Sequence, residues 1–197
     1  MQASTATIKN PDWDRLYALA EAQDGQFTTA QAAEAGYSSQ LLNKYLKSGR
    51  VVRPTRGVYR LVHFPAGEHE DLVTIWLRSE QQGVFSHETG LMLHGLSDAL
   101  PSTIHLTLPE KWRHRRLRIR HPRLALHYAD LDTRDRPWSG SVPIPTPDRT
   151  VNDCANESVT PDLVDQASHE GLRRGLFGVD EIAAAAPYLG VFGRSLG

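Results

Sequence analysis

The chain has 197 residues, of which 40% are hydrophobic and 23% charged, with one cysteine and a mean hydropathy of -0.43. These proportions exclude a disordered or collagen-like polymer, an intramolecular disulfide framework, a cysteine-based zinc finger and any apolar run near the roughly 18 residues that span a bilayer, so a soluble cytoplasmic protein is expected. The net charge of -1 conceals two cationic blocks: residues 35–67 hold six basic and no acidic side chains, and residues 109–123 hold seven basic against one acidic.

Asn10-Pro11 predicts a helix start, because Asn caps free N–H groups and Pro at the first helical position wastes no donor. Trp13, Leu16, Tyr17 and Ala20 then form one apolar stripe, ended by Asp24-Gly25. Thr28 with Gln31 has the form of a capping box, opening a helix from Thr29 to about Ala35 with Gly36 at its stop. Ser38 caps a third helix, Ser39 to Lys47, closed by Gly49. Leu42, Tyr45 and Leu46, flanked by Leu41, mark its apolar side. Gln40, Asn43, Lys44 and Lys47 mark the other, with the amides and ammoniums that read base edges and neutralise phosphates. Helix, tight turn and such a second helix constitute a helix-turn-helix.

Two β-prone runs follow, Val51–Arg53 and Val58–Leu61, joined by the turn Pro54-Thr55-Arg56-Gly57. A hairpin with a basic tip after a recognition helix is a wing, with Arg53, Arg56 and Arg60 placed to clamp the flanking backbone. The expected DNA-binding residues are Gln40, Asn43 and Lys44 for base edges, and Ser39, Lys47, Arg53, Thr55 and Arg56 for the backbone.

Further on, a linking helix is predicted from His69 to about Gln82, a strand at Val84-Phe85, and a helix capped by Ser86 and ended at His94-Gly95. Thr103–Leu108, Arg116–Arg120 and Leu124–Tyr128 read as strands of a half-buried sheet with a basic outer face. Thr146-Pro147 and Thr160-Pro161 start two more helices, and Asp180–Ala186 a terminal one. The fold class is α+β: a winged helix-turn-helix over 10–65, then a small mixed domain over 69–190 with a short sheet packed on helices.

Nine histidines raise the question of metal chemistry. His87 and His94 share a helical face, but spacing supplies no third ligand, so no metal site and no cofactor is expected. Ser86 and His87 are adjacent, which does not predict a nucleophile–base pair, and Asp130, Asp132 and Asp135 sit in a loop, a weak basis for a nuclease. No catalytic residue is assigned and an enzyme is not expected. Lys111, Arg113, Arg115, Arg116 and Arg118, with Trp112 among them, suit a secondary nucleic-acid contact.

The segment from Gly25 through Gly36, G-Q-F-T-T-A-Q-A-A-E-A-G, followed by the basic helix and Arg56-Gly57-Val58-Tyr59-Arg60, resembles the N-terminal winged helix of the AbiEi antitoxins of type IV toxin–antitoxin (abortive infection) systems. Ser86 to Leu96 (SHETGLMLHGL), Ile104 to Pro109 (IHLTLP) and Ile144 to Asp153 (IPTPDRTVND) resemble the C-terminal domain of that family. The same block occurs in winged-helix proteins bearing a Vsr-like nuclease further on; this chain ends where that nuclease would begin, so none is expected. The resemblance implies a repressor bound as a homodimer to inverted repeats in its own promoter. It also implies a nucleotidyltransferase-like toxin as functional partner, countered without a stable complex, and no membrane association. The alternative reading is a stand-alone winged-helix regulator whose second domain dimerises or binds a ligand.

Overall fold

In the computed structural model, which describes residues 10–190 apart from Arg118, Arg120 and Ser158, the chain divides into two units, 1–81 and 82–197. The fold class is α+β, as expected. Among the described residues no helix is long and apolar enough to cross a membrane.

The first unit runs α1 (Trp13–Glu21), β1 (Gln26–Thr28), α2 (Thr29–Glu34), α3 (Ser39–Lys47), β2 (Val51–Thr55), β3 (Val58–Leu61) and α4 (Glu70–Arg78). Asp12, not Asn10, caps α1, its carboxylate accepting from the Arg15 N–H at 2.9 Å. Only Leu16 and Ala20 of the predicted stripe are buried; Trp13 and Tyr17 stay 44% and 41% exposed. The capping box forms as read: Thr28 Oγ1 accepts from Gln31 N at 3.1 Å, and Gln31 Oε1 accepts from Thr28 N at 2.8 Å.

The sheet order is β1-β3-β2, all antiparallel, with Phe27 opposite Tyr59. Their rings stack with centroids 5.8 Å apart inside a core of Leu16, Ala32, Tyr37, Leu42 and Val51. The sequence did not announce β1. It is three residues long, its last residue doubles as the α2 cap, and its first, Gln26, is polar yet buried. Gln26 is tolerated there because its amide donates to Glu70 O at 2.7 Å and accepts from Thr74 Oγ1 at 2.7 Å, which also seats α4 on β1. The α4 helix is shorter than predicted and buried on both flanks of its stripe, including Val73 and Leu77. Glu80 and Gln81, at φ of 55° and 62°, end it.

The second unit runs β4 (Val84–Phe85), α5 (His87–His94), β5 (Ile104–Leu108), β6 (Leu124–Tyr128), β7 (Trp138–Ser139), β8 (Val142–Pro143), α6 (Pro147–Asn156) and α7 (Pro161–Arg173). Its main sheet has the order β4-β5-β6, and β5 and β6 are parallel. Here the reading needs correction. Parallel neighbours cannot be joined by a tight turn and require a crossover of a dozen or more residues. The chain between Leu108 and Leu124 makes that connection, and Arg116, Leu117 and Ile119 lie outside any strand; Arg118 and Arg120, the rest of the expected strand, lie outside the described residues. The expected terminal helix is also absent: residues 179–182 and 186–188 form only short 3₁₀ turns. The core gathers Leu91 and Leu96 with Val151 and Cys154 of α6, Val164 and Ala167 of α7, and Phe177 and Ile182 beyond.

Candidate nucleic-acid interface

Every backbone contact that shapes α3 is local. Ser38 Oγ accepts from Leu41 N at 3.2 Å, and Gly36 and Gly49 hold φ of 86° and 69° at either end. Leu42 is the fully buried residue of this helix, and Tyr45 packs edge-on against Tyr37 with centroids 5.9 Å apart. Ser39, Gln40, Asn43, Lys44 and Lys47 are all exposed, as the periodicity required. Lys44 and Lys47 lie in the last turn, where the helix dipole favours cations.

The wing is tighter than predicted. Strand β2 continues through Pro54 and Thr55 with an irregular register, leaving Arg56-Gly57 as the turn. Gly57, at φ 86°, makes that turn feasible, and its carbonyl accepts from Thr29 N at 3.1 Å. The Arg78 guanidinium donates to Arg56 O at 2.7 Å, which fixes the tip from behind. Arg53 and Arg56 are exposed and Thr55 is half-buried. Arg50, absent from the predicted set, is also exposed and stacks over the Tyr45 ring at 5.2 Å. Membership of the acid-free block was the signal that could have included it.

Arg60 corrects the reading. It is not a clamp: its guanidinium pairs with Glu70 at 2.7 Å and donates to Phe64 O and Pro65 O, with 14% of the side chain exposed. Among the described residues, Lys44, Lys47, Arg53 and Arg56 have no carboxylate partner, so their charge is directed to solvent.

The second basic block is arranged differently. Arg113 grips Glu110 through Nε at 2.6 Å and Nη2 at 2.9 Å, and Arg115 lies over the Trp112 ring at 4.1 Å. Trp112 is buried, so it is not a platform for a base. Lys111 and Arg116 are exposed, and Arg118 lies outside the described residues.

Sequence reasoning missed a histidine cluster in the second unit. His94 leaves the pairing once considered with His87, its Nε2 donating to Pro145 O at 2.8 Å. In its place His105 on β5 and His127 on β6 join His87 at the start of α5, and one ring nitrogen from each of the three lies within 4.8 Å of the others. The His87 and His127 rings stack at 3.8 Å. His127 Nδ1 lies 2.8 Å from Glu157 Oε2, and His87 Nε2 lies 3.5 Å from Glu157 Oε1. Burial, and then His127 beside it, push the His87 pKa down to about 4; burial and His127 lower that of His105 as well. Burial alone would raise the Glu157 carboxyl, but the His127 hydrogen bond and the neighbouring imidazoles hold it below the usual range. Contrary to expectation, His87 Nδ1 does hydrogen-bond Ser86 Oγ, at 2.9 Å. Ser86 is fully buried and also bonded to Thr107 at 2.7 Å. Of the loop acids, Asp130 accepts from Glu110 N at 3.1 Å, a structural role.

His94 gives a prediction of sign. Burial lowers its pKa, with Arg174 adding to the effect while the Pro145 bond and Asp148 oppose it. An imidazole depressed in the folded state contributes stability that is present above the unfolded value of about 6.5 and is lost as pH falls through the folded value. The urea midpoint of the second unit should therefore drop on acidification below pH 6.5, and His94→Gln should remove part of that slope. An identical slope in the variant would refute the assignment.

A three-helix arrangement with a cationic, unpaired helix and an arginine-tipped hairpin defines a winged helix-turn-helix module, the class of DNA-binding regulators. Residues 14–62 match the family model described as "Transcriptional regulator, AbiEi antitoxin", so the resemblance carried by the motifs stands over that segment and supports a DNA-binding antitoxin in general terms. The crystal structure of the RV2827C protein from Mycobacterium tuberculosis is similar over 89% of this chain and 80% of its own, at 14% identity and a TM-score of 0.42, a likeness too low to carry an argument. No curated protein matches the chain.

Proposed function

We propose that the chain is the antitoxin of a type IV toxin–antitoxin system, acting in the cytoplasm. Its winged helix, residues 10–65, binds inverted repeats in its own promoter as a homodimer and represses the operon. Its second domain, residues 69–190, counters a nucleotidyltransferase-like toxin without requiring a stable complex. The observation that carries the DNA-binding half is the set of exposed cations on α3 and the wing that no carboxylate among the described residues neutralises. Gln40, Asn43 and Lys44 read base edges; Ser39, Lys47, Arg53, Thr55 and Arg56 hold the backbone. Lys111 and Arg116 are the members of the second block most available for a further contact. The match over residues 14–62 and the motifs beyond it support the antitoxin half.

Lys44→Ala combined with Arg56→Ala tests the interface. Affinity for promoter DNA should fall, and the log–log salt slope should flatten by about 0.9 for each phosphate contact removed, while the unfolding midpoint holds. Unchanged affinity at physiological salt would defeat the reading. Co-expression with a nucleotidyltransferase-like toxin, scored as rescued growth, tests the antitoxin half separately.

A further inference from the structure

We infer that His87, His105 and His127 form a binding site for a divalent transition-metal ion of the zinc class, with Glu157 orienting it. The sheet itself makes the site. Strands β5 and β6 run parallel with Thr107 beside His127 and His105 beside Ala125, so the two histidines share one face, one step apart. His105 Nδ1 and His127 Nε2 come within 3.0 Å. Glu157 Oε2, 2.8 Å from His127 Nδ1, holds the proton on that nitrogen and leaves the Nε2 lone pair aimed at His105. Without an ion, the two facing nitrogens must share one proton. An ion replaces that proton, since metal–imidazole distances of about 2.0–2.1 Å allow one cation to bridge two nitrogens at this separation. A carboxylate on the far nitrogen of a ligating histidine is the usual second contact in such sites, fixing tautomer and ring orientation.

His87 is the third ligand, and its backbone shows strain. Its φ of 51° lies in the left-handed region, an uncommon conformation for a residue with a side chain. The strand-to-helix turn at Ser86-His87 bends sharply enough to lay the His87 ring over that of His127. Residues held this way persist where the surroundings over-determine them, and they gather at functional sites. Stacked rings aim their lone pairs in parallel planes, and Nδ1 is held by Ser86, so His87 must turn Nε2 out of the stack and away from Glu157 to complete the set. His105 and His127 are only half-buried, which leaves the site within reach of solvent for a fourth ligand. Three imidazoles with one open position suit zinc, and cobalt as its spectroscopic substitute; calcium and magnesium prefer oxygen.

The test uses the full chain, stripped with a chelator and titrated with Co²⁺. One equivalent per chain should bind with the visible absorption of a four-coordinate cobalt centre, Zn²⁺ should displace it, and Zn²⁺ should raise the unfolding temperature of the stripped protein. His105→Gln with His127→Gln should abolish both signals, and Glu157→Gln should weaken binding by roughly 10–100-fold. Circular dichroism and cooperative unfolding of each metal-free variant establish that it is folded; should the double variant fail this check, Glu157→Gln decides alone. Failure of the wild-type chain to take up the ion would overturn the inference. So would uptake that persists in a folded double variant, which would place the ion on other histidines, or an affinity unmoved by Glu157→Gln.

Discussion

Phe27→Ala is expected to cost the first unit about 3–5 kcal/mol, the range for removing a large aromatic side chain from a core. Phe27 has no exposed surface, sits opposite Tyr59 across the β1–β3 ladder and stacks on its ring. It lies in the core cluster that also holds Ala32 of α2 and Leu42 of α3, so a cavity there loosens α3, which presents Lys44 and Lys47, together with the helix before it. A small unit has little reserve, since domains are stable by about 5–15 kcal/mol and small ones sit low in that range. Urea unfolding should show an early transition, and DNA binding should fail at temperatures where the unsubstituted chain stays folded. This separates two causes of lost binding: Lys44→Ala with Arg56→Ala removes affinity from a stable fold, whereas Phe27→Ala removes it by unfolding. A loss below about 1 kcal/mol would contradict the packing described, because it would lie far under the range for truncating a large buried aromatic side chain.

Gly171→Ala is expected to destabilise the second unit, against the ordinary preference of helices. Gly171 lies within α7, where alanine is favoured over glycine by about 0.5–1 kcal/mol. Here the added methyl would lie 2.8 Å from Cε2 of Phe177 and closer still to Cε1 and Cζ. Phe177 is itself buried in the core beside Ile182 and Ala185, so the ring has no free space to enter. Overpacking of this kind costs about 1–3 kcal/mol, occasionally more, and outweighs the helix preference. Phe177→Leu should relieve the clash, so the double variant should be more stable than the two single effects predict when added. A raised unfolding midpoint for Gly171→Ala alone would refute the close packing of α7 on Phe177.

The helices around the interface were legible because their signals are local. Thr28 with Gln31, Ser38 before α3, and the glycines at 36 and 49 each act within four residues, and the structure uses all of them. The alternation of Leu42 against Gln40, Asn43 and Lys44 likewise follows from helical spacing alone. The errors came where a partner distant in sequence decides. Arg60 reads as one more wing cation until Glu70 and the carbonyls of Phe64 and Pro65 are placed around it. Gln26 reads as a loop residue until Thr74 and Glu70 satisfy its amide and allow β1 to be buried. The alternation of Arg116–Arg120 resembles a strand, but β6 pairs directly and in parallel with β5, which leaves Arg116, Leu117 and Ile119 in the connection between them.

The histidine cluster is the extreme case. His87, His105 and His127 are separated by 18 and 22 positions, with no ligand spacing to connect them, and His94 was the nearer companion on the same helix. Their meeting depends on the register between two strands and on a left-handed residue at one helix start, neither of which leaves a periodic trace. By itself the sequence determined the caps of α2 and α3, the two faces of α3 and the cationic block, because those follow from backbone donors and side-chain periods within a few residues. Tertiary structure alone decided which cations remain unpaired and which imidazoles converge, because ion pairing and burial depend on neighbours that only the folded chain brings within a few ångströms.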